Sequence, residues 1–154
     1  MFKRKKAPME IEEVINKKLK GDAQQNALGF VAFLRGNEVR LEVNNISKDG
    51  CGCAIGDVGC MAISKKPAHI APWTIWFNSC DFDESAPIDE ALKETAWANA
   101  GICGHCHAGW KDCGGGEQTI FGRKFERLCH SPMMFVNPDA QTVEHAKKLL
   151  LMLK

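Results

Sequence analysis

The chain has 154 residues, of which 45% are apolar, 25% charged and 8% aromatic, and twenty basic against nineteen acidic side chains leave a net charge of +1. These proportions describe a globular chain long enough for one domain with a single core, and they exclude collagen-like, low-complexity and wholly disordered organisations. A charge this near zero gives no global field toward nucleic acid or an anionic membrane, and no run approaches the roughly 20 apolar residues of a membrane span.

Residues 1–7 carry Lys3-Arg4-Lys5-Lys6 and are expected to form a flexible, solvated terminus. Glu10, Glu12 and Glu13 stand where the apolar segment of a secretory leader would be, so the expected compartment is the reducing cytoplasm. Residues 8–154 read as a single α+β domain. Ile11, Val14, Ile15 and Leu19 recur at helical spacing until Gly21. Asp22 is expected to cap a second helix, whose stripe of Ala27, Leu28, Val31 and Leu34 is widened by Phe30 and Phe33 and ends at Gly36. That apolar face is wrong for a helix that reads DNA.

Val39, Leu41 and Val43 then alternate with charged residues as a half-buried strand does. Residues 44–59 are rich in Asn, Gly and Asp and read as an irregular connection or hairpin. Cys60 to Ser64 and Thr74 to Phe77 are strand candidates, with Trp73 and Trp76 on opposite edges of the core. Pro87 opens a helix with Ile88, Ala91, Leu92, Thr95 and Ala96 on one face, ended by Gly101. A loop is expected from Gly101 to about Gln118, and Ile120 to Leu128 fits helix and strand equally. Met133 to Val136 reads as an edge strand, and Asn137 with Pro138 is expected to start a last helix burying Val143, Ala146, Leu149 and Leu150. Helices and strands do not alternate as βαβ units, so the expected architecture is a small antiparallel sheet packed by three or four helices.

The chemistry concentrates in residues 101–130. Cys103-Gly104-His105-Cys106-His107 is followed by Cys113 and Cys129, so four of the chain's eight cysteines fall within 27 residues. Two cysteines separated by two residues can turn both sulfurs toward one ion, and tetrahedral zinc needs two further ligands, which Cys113 and Cys129 can supply. Four thiolates on one divalent cation leave two negative charges, which Lys111, Arg123, Lys124 and Arg127 could offset. His105, His107 or His130 could replace one cysteine, and fifteen residues separate Cys113 from Cys129, so the second half of the pattern is not itself a close pair.

Two other chemistries fit the same pentapeptide. Cys103, Cys106 and His107 formally match c-type haem attachment, with Met133 or Met134 as distal ligand, although such attachment normally follows export. Cys-Gly-His-Cys also resembles the tetrapeptide of disulfide isomerases. That chemistry wants its first cysteine at a helix N-terminus, whereas a predicted helix ends just before Cys103.

Lesser features carry simpler readings beside functional ones. Cys51, Cys53 and Cys60, completed by Cys80 or His69, would make a second metal site, but Cys60, with Met61 and Ile63 close by in sequence, reads as a small core residue. Asp81, Asp83 and Glu84 read as a solvated acidic loop rather than an acid–base cluster. Trp73, Trp76, Trp97 and Phe77 could line a ligand pocket, and core packing is the simpler assignment. His145 is expected to be exposed and without a partner.

The segments Leu92-Lys93-Glu94-Thr95-Ala96-Trp97, Cys103-Gly104-His105-Cys106, Ile120-Phe121-Gly122-Arg123-Lys124-Phe125, Cys129 and Asn137-Pro138-Asp139-Ala140 resemble a family of small uncharacterised bacterial proteins, and Pro72-Trp73-Thr74-Ile75-Trp76 and the helix after Gly21 are similar too. The family pattern keeps a cysteine cluster before Ile-Phe-Gly and one cysteine after it. The resemblance thus implies Cys103, Cys106, Cys113 and Cys129 as one set, and His107 departs from the pattern. It implies no activity. The expectation is a zinc-binding module with a structural four-cysteine site, non-catalytic, with no membrane or nucleic-acid partner and room for a small-molecule or protein partner.

Overall fold

The computed structural model describes residues 10–47, 50–55, 59–64, 72–101 and 115–154. Their organisation is set by the strands in which alternate residues are large and apolar: β3 (Gly59–Ser64), β4 (Trp73–Phe77) and β7 (Met133–Val136). β4 pairs antiparallel with both neighbours, matching Ile75 to Met61 and to Phe135, and Phe77 to Gly59 and to Met133. Directly paired residues share a face, so Ile63, Met61, Trp73, Ile75, Phe77, Phe135 and Met133 form one fully buried surface. β1 (Leu41–Ser47) and β2 (Gly50–Ile55) extend the sheet to the order β1-β2-β3-β4-β7, all antiparallel. A separate ribbon pairs β5 (Gly116–Ile120) with β6 (Arg123–Leu128).

Four helices among the described residues supply the second layer, so the protein is α+β with a C-terminal helix: α1 (Ile11–Lys18), α2 (Gly21–Gly36), α3 (Glu90–Asn99) and α4 (Ala140–Met152). Their buried stripes are Ile11, Val14 and Ile15; Ala27, Phe30, Val31 and Leu34; Leu92 and Ala96; and Val143, Ala146, Leu149 and Leu150, and all join the sheet's apolar face in one core. Phe30 of α2 meets Trp73 with ring centroids 6.4 Å apart, and Phe77 meets Phe135 edge-on at 5.3 Å. Arg35 binds Glu10 and Glu12 across the α1–α2 junction, an exposed cluster that orients the helices more than it stabilises them.

The helix starts correct three expectations. Asp22 caps nothing: α2 begins one residue earlier with Lys20 at the N-cap position, and Asp22 lies in the first turn, where its charge favours the helix dipole. Asn137 is not the cap of α4 either. Its N–H is held by the Trp73 carbonyl at 2.8 Å and its φ is 43°, which finishes β7 and leaves the capping to Asp139, whose carboxylate accepts from the Thr142 N–H at 2.8 Å. Likewise α3 starts after Pro87, with Asp89 accepting from Leu92 N–H.

The hydrogen bonds from Thr142, its backbone N–H first, hold the Asp139 carboxyl below its ordinary value of 3.8. A carboxyl lowered on folding stabilises above its unfolded value, and that contribution disappears as pH falls through the folded one. Asp139→Ala is therefore expected to lower the urea midpoint at pH 7 and to differ less from the parent at pH 3. An equal difference at both pH values would refute this account of the cap.

Residues 44–59, expected to form an irregular connection or a hairpin, include most of β1 and all of β2, which pair as an antiparallel hairpin. The register is Cys53 to Val43 and Met61, and Cys51 to Asn45 and Ile63. Glycine and asparagine disfavour strands locally, but pairing on both edges satisfies the β2 backbone and overrides that preference. Trp73 and Trp76 lie on opposite faces of the sheet, not opposite edges of the core: Trp73 is buried against the helices, and Trp76 pairs with Cys60 and Met134 on the other face, each half-buried.

The stretch from Ile120 to Leu128 is resolved as a hairpin. Phe121 (φ 47°) and Gly122 (φ 82°) are its two turn residues, and positive φ at both is what the natural twist of a two-residue hairpin requires. Glycine adopts this freely, while phenylalanine does not. Phe121 is nevertheless held there by its ring, which is buried and stacked on Phe82 at 5.1 Å.

Candidate metal centre

Of the four cysteines expected to hold zinc, Cys129 is placed by the structure, while Cys103, Cys106 and Cys113 lie outside the described residues, as do His105, His107 and Lys111. Cys129 follows β6 directly and is buried, with 2% of its surface exposed. Its surroundings are built from both ends of the cysteine-rich segment. Beyond α3, the Gly101 carbonyl accepts from the Cys129 N–H at 3.3 Å, while the Gly101 N–H donates to the Pro132 carbonyl at 3.0 Å. Ala100 also bridges to Met133.

At the other end, Gly115 lies so close to β6 that a Cβ there would stand 1.8 Å from the Leu128 carbonyl oxygen and 2.9 Å from the Cys129 Cα. Only glycine permits that approach. Residues 101 and 115, which bound the stretch holding Cys103, Cys106 and Cys113, are thus both seated against Cys129. In the chain, Cys103 and Cys113 are each two residues from one of these anchors.

A second cysteine shares this place. Cys80 was grouped by sequence with Cys51, Cys53 and Cys60, yet it lines the same cavity as Cys129, with a volume of about 200 Å³, together with Asp81, Gly115, Gln118 and His130. Two backbone hydrogen bonds, which together make one antiparallel bridge, fix the Cys80 segment. The Lys154 N–H donates to the Asp81 carbonyl at 3.0 Å and the Asp83 N–H to the Met152 carbonyl at 2.7 Å, so that Phe82 bridges to Leu153. Phe82 stacking on Phe121 then ties this segment to the turn of the ribbon, and the Cys80 thiol donates to Gln118 Oε1 on β5. Burial first, and the Asp81 carboxylate second, push the Cys80 thiol above its ordinary range, so without a cation it holds its proton.

Of the second cysteine group considered from the sequence, His69 and the side chains of Cys51 and Cys53 lie outside what the structure describes, while Cys80 is placed, and so is Cys60. That residue pairs with Ala54 and Trp76, one position out of step with the register of Cys51 and Cys53, and Cys80 lies at the Cys129 cavity. Cys60 is half-buried on the face away from the helices rather than in the core, and burial raises its thiol too. Among the described residues no three His, Cys, Asp or Glu side chains converge tightly enough to hold a metal ion. Cys80 and Cys129 therefore make at most part of a shell.

The charged and aromatic candidates also find places. Arg123 lies over Trp97 at 5.8 Å and Phe125 at 5.4 Å from the ring centroids, and Lys124 pairs with Glu117 at 3.2 Å. Trp97 donates from its indole to the Ile120 carbonyl at 2.7 Å, fixing the ribbon to α3. With Trp73 and Phe77 in the core and Trp76 on the far face, the four aromatic residues line no common pocket. Asp83 accepts from the Ser85 hydroxyl and N–H, which lowers its carboxyl, in keeping with a solvated turn. His145 does have a partner: its Nδ1 lies 2.6 Å from Thr95 Oγ1, joining α3 to α4. Of the candidate distal haem ligands, Met133 is fully buried in the core and Met134 faces the other side of the sheet.

Among the described residues no helix is long and apolar enough to cross a membrane. No protein-family model, no curated protein and no solved structure matches the chain, so the case for this centre rests on its own residues.

Proposed function

We propose that the protein is a small zinc-binding module of the reducing cytoplasm, non-catalytic, in which one structural zinc ion is held by the thiolates of Cys103, Cys106, Cys113 and Cys129 and supports binding of a small-molecule or protein partner. The observation that carries this reading is the seating of Gly101 and Gly115 on either side of Cys129. That seating brings both ends of the stretch whose sequence carries three thiols beside the fourth, which supports one shared ion. Apolar packing explains little of this corner, because its cavity is bordered by Asn78, Asp81, Gln118 and His130. A zinc ion would supply there the cross-links that side-chain packing does not, joining the end of α3 to the end of β6.

The resemblance to small bacterial cysteine-containing proteins supports the same four-residue set. A closed shell of four sulfurs has no open position for water or substrate, which favours structure over turnover. The thiol-oxidoreductase alternative receives no support from α3, which ends at Asn99 and so presents its C-terminal end toward Cys103.

Elemental analysis of the purified chain is expected to give about one zinc per molecule, and a colourless preparation. Chelation should remove the ion and lower Tm by roughly 10 °C, equivalent to about 3–4 kcal/mol for a domain of this size. Cys129→Ser should reduce zinc content to below about a tenth. A metal-free preparation of unchanged Tm would refute the proposal, and visible haem bands would replace it with the electron-transfer reading.

A further inference from the structure

We propose that β1 is the surface through which two copies of this chain associate, its outer edge pairing antiparallel with the same edge of a second copy about a two-fold axis at Leu41. Among the described residues β1 ends the five-stranded sheet: one side of its backbone pairs with β2 and the other with no strand. Such an edge is a ready template for a further strand. The inference does not rest on the zinc reading.

The order of residues along this edge selects the occupant. Val39-Arg40-Leu41-Glu42-Val43 is its own complement when reversed about Leu41. Antiparallel pairing there sets Leu41 against Leu41 of the second copy, Arg40 against Glu42 and Val39 against Val43, the last two pairs each occurring twice. Val39, Leu41 and Val43 are half-buried and pack against the core, whereas Arg40 and Glu42 are exposed. The pairing therefore joins apolar residues on the helix side of the sheet and opposite charges on the other. Within one copy Arg40 lies 3.0 Å from Glu42, with 84% and 56% of the two side chains exposed, a contact that contributes little alone. Against a second copy the same groups form an alternating square, each charge flanked by two of the other sign.

Neighbouring registers lack this match. A two-fold at Arg40 or at Glu42 opposes like charges, and one at Val43 sets Leu41 against Asn45. The length of the ladder is also bounded. Glu38 has φ 57° and the Val39 N–H is held by the Leu34 carbonyl at 3.0 Å, so pairing reaches no further than Val39 and, by symmetry, Val43. A net charge of +1 adds little repulsion between copies.

Sedimentation equilibrium of the full chain, in reducing buffer to prevent disulfide-linked dimers, tests this. Five paired residues a side make a small interface, so at about 200 µM most of the unaltered chain should sediment at twice 17.0 kDa, dissociating on dilution. Arg40→Glu and Glu42→Arg should each weaken self-association at least about tenfold, because each turns both opposed pairs into like charges. Both sites are exposed, and thermal melts verify that the variants fold as the parent does. Mixed in equal amounts, the two variants should associate with each other as the parent does with itself, and the double variant Arg40→Glu/Glu42→Arg should regain self-association. A parent that stays monomeric at that concentration, single variants that dimerise like the parent, or a mixture of them that stays monomeric overturns the inference.

Discussion

Gly115→Ala is expected to cost about 3 kcal/mol and, on the proposed zinc reading, most of the zinc content. The added methyl would lie 1.8 Å from the Leu128 carbonyl oxygen and 2.8 Å from its carbon, and these are backbone atoms that cannot rotate aside. The strands must separate by more than an ångström, disrupting the Gly116–Leu128 pairing and the seat of Cys129 beside it. Overpacking of this kind typically costs 1–3 kcal/mol, and a clash with backbone belongs at the upper end. The corresponding fall in Tm is roughly 6–12 °C. Gly116→Ala is the matched comparison, since nothing stands within 4 Å of its added methyl. Thermal melts and zinc content of the two variants check the argument, which fails if Gly115→Ala behaves like Gly116→Ala.

Trp73→Ala is expected to be as damaging for a different reason. Trp73 is the largest fully buried side chain and joins the sheet to Phe30 of α2, so truncation leaves a cavity between layers and costs about 3–5 kcal/mol. Its indole nitrogen has no hydrogen-bond partner among the described residues despite complete burial. An unsatisfied buried donor is itself unfavourable by about 1–3 kcal/mol, and phenylalanine would remove it while retaining a ring. Trp73→Phe should therefore stay within about 1.5 kcal/mol of the parent in urea denaturation, the void being offset by loss of the orphan donor. A Phe variant as unstable as the Ala variant would mean that the indole is held by shape alone.

Where one physical signal dominated, the sequence was legible. The stripes of α1, α2 and α4 and the alternation in β3, β4 and β7 announced themselves because burial on one side leaves a period in the residues. β2 left no such trace: Gly50-Cys51-Gly52-Cys53 is a strand because β1 and β3 flank it, a cause distant in sequence. The Phe121–Gly122 turn was hidden similarly, since phenylalanine at positive φ makes sense only once Phe82 is known to lie over it. The His145–Thr95 contact spans fifty residues and carries no motif.

The candidate site was half legible. Spacing singled out the cysteine-rich segment and Cys129 as candidates, whereas no motif in the sequence links Cys80 to Cys129, with which it lines one cavity. What brings it to Cys129 is the antiparallel pairing of β4 with β7, which matches Phe77 to Met133 and so runs the residues after β4 beside those before β7, a contact between segments some fifty residues apart.

The turn of the β5–β6 ribbon has a kinetic corollary. An isolated two-stranded ribbon is marginal in water, and one that must bend at phenylalanine in a left-handed conformation is poorer still. Such a ribbon cannot zip ahead of the rest and wait. It closes only when Phe82 and the final turn of α4 have already docked, so its amides should exchange with solvent in step with the whole domain instead of fraying independently.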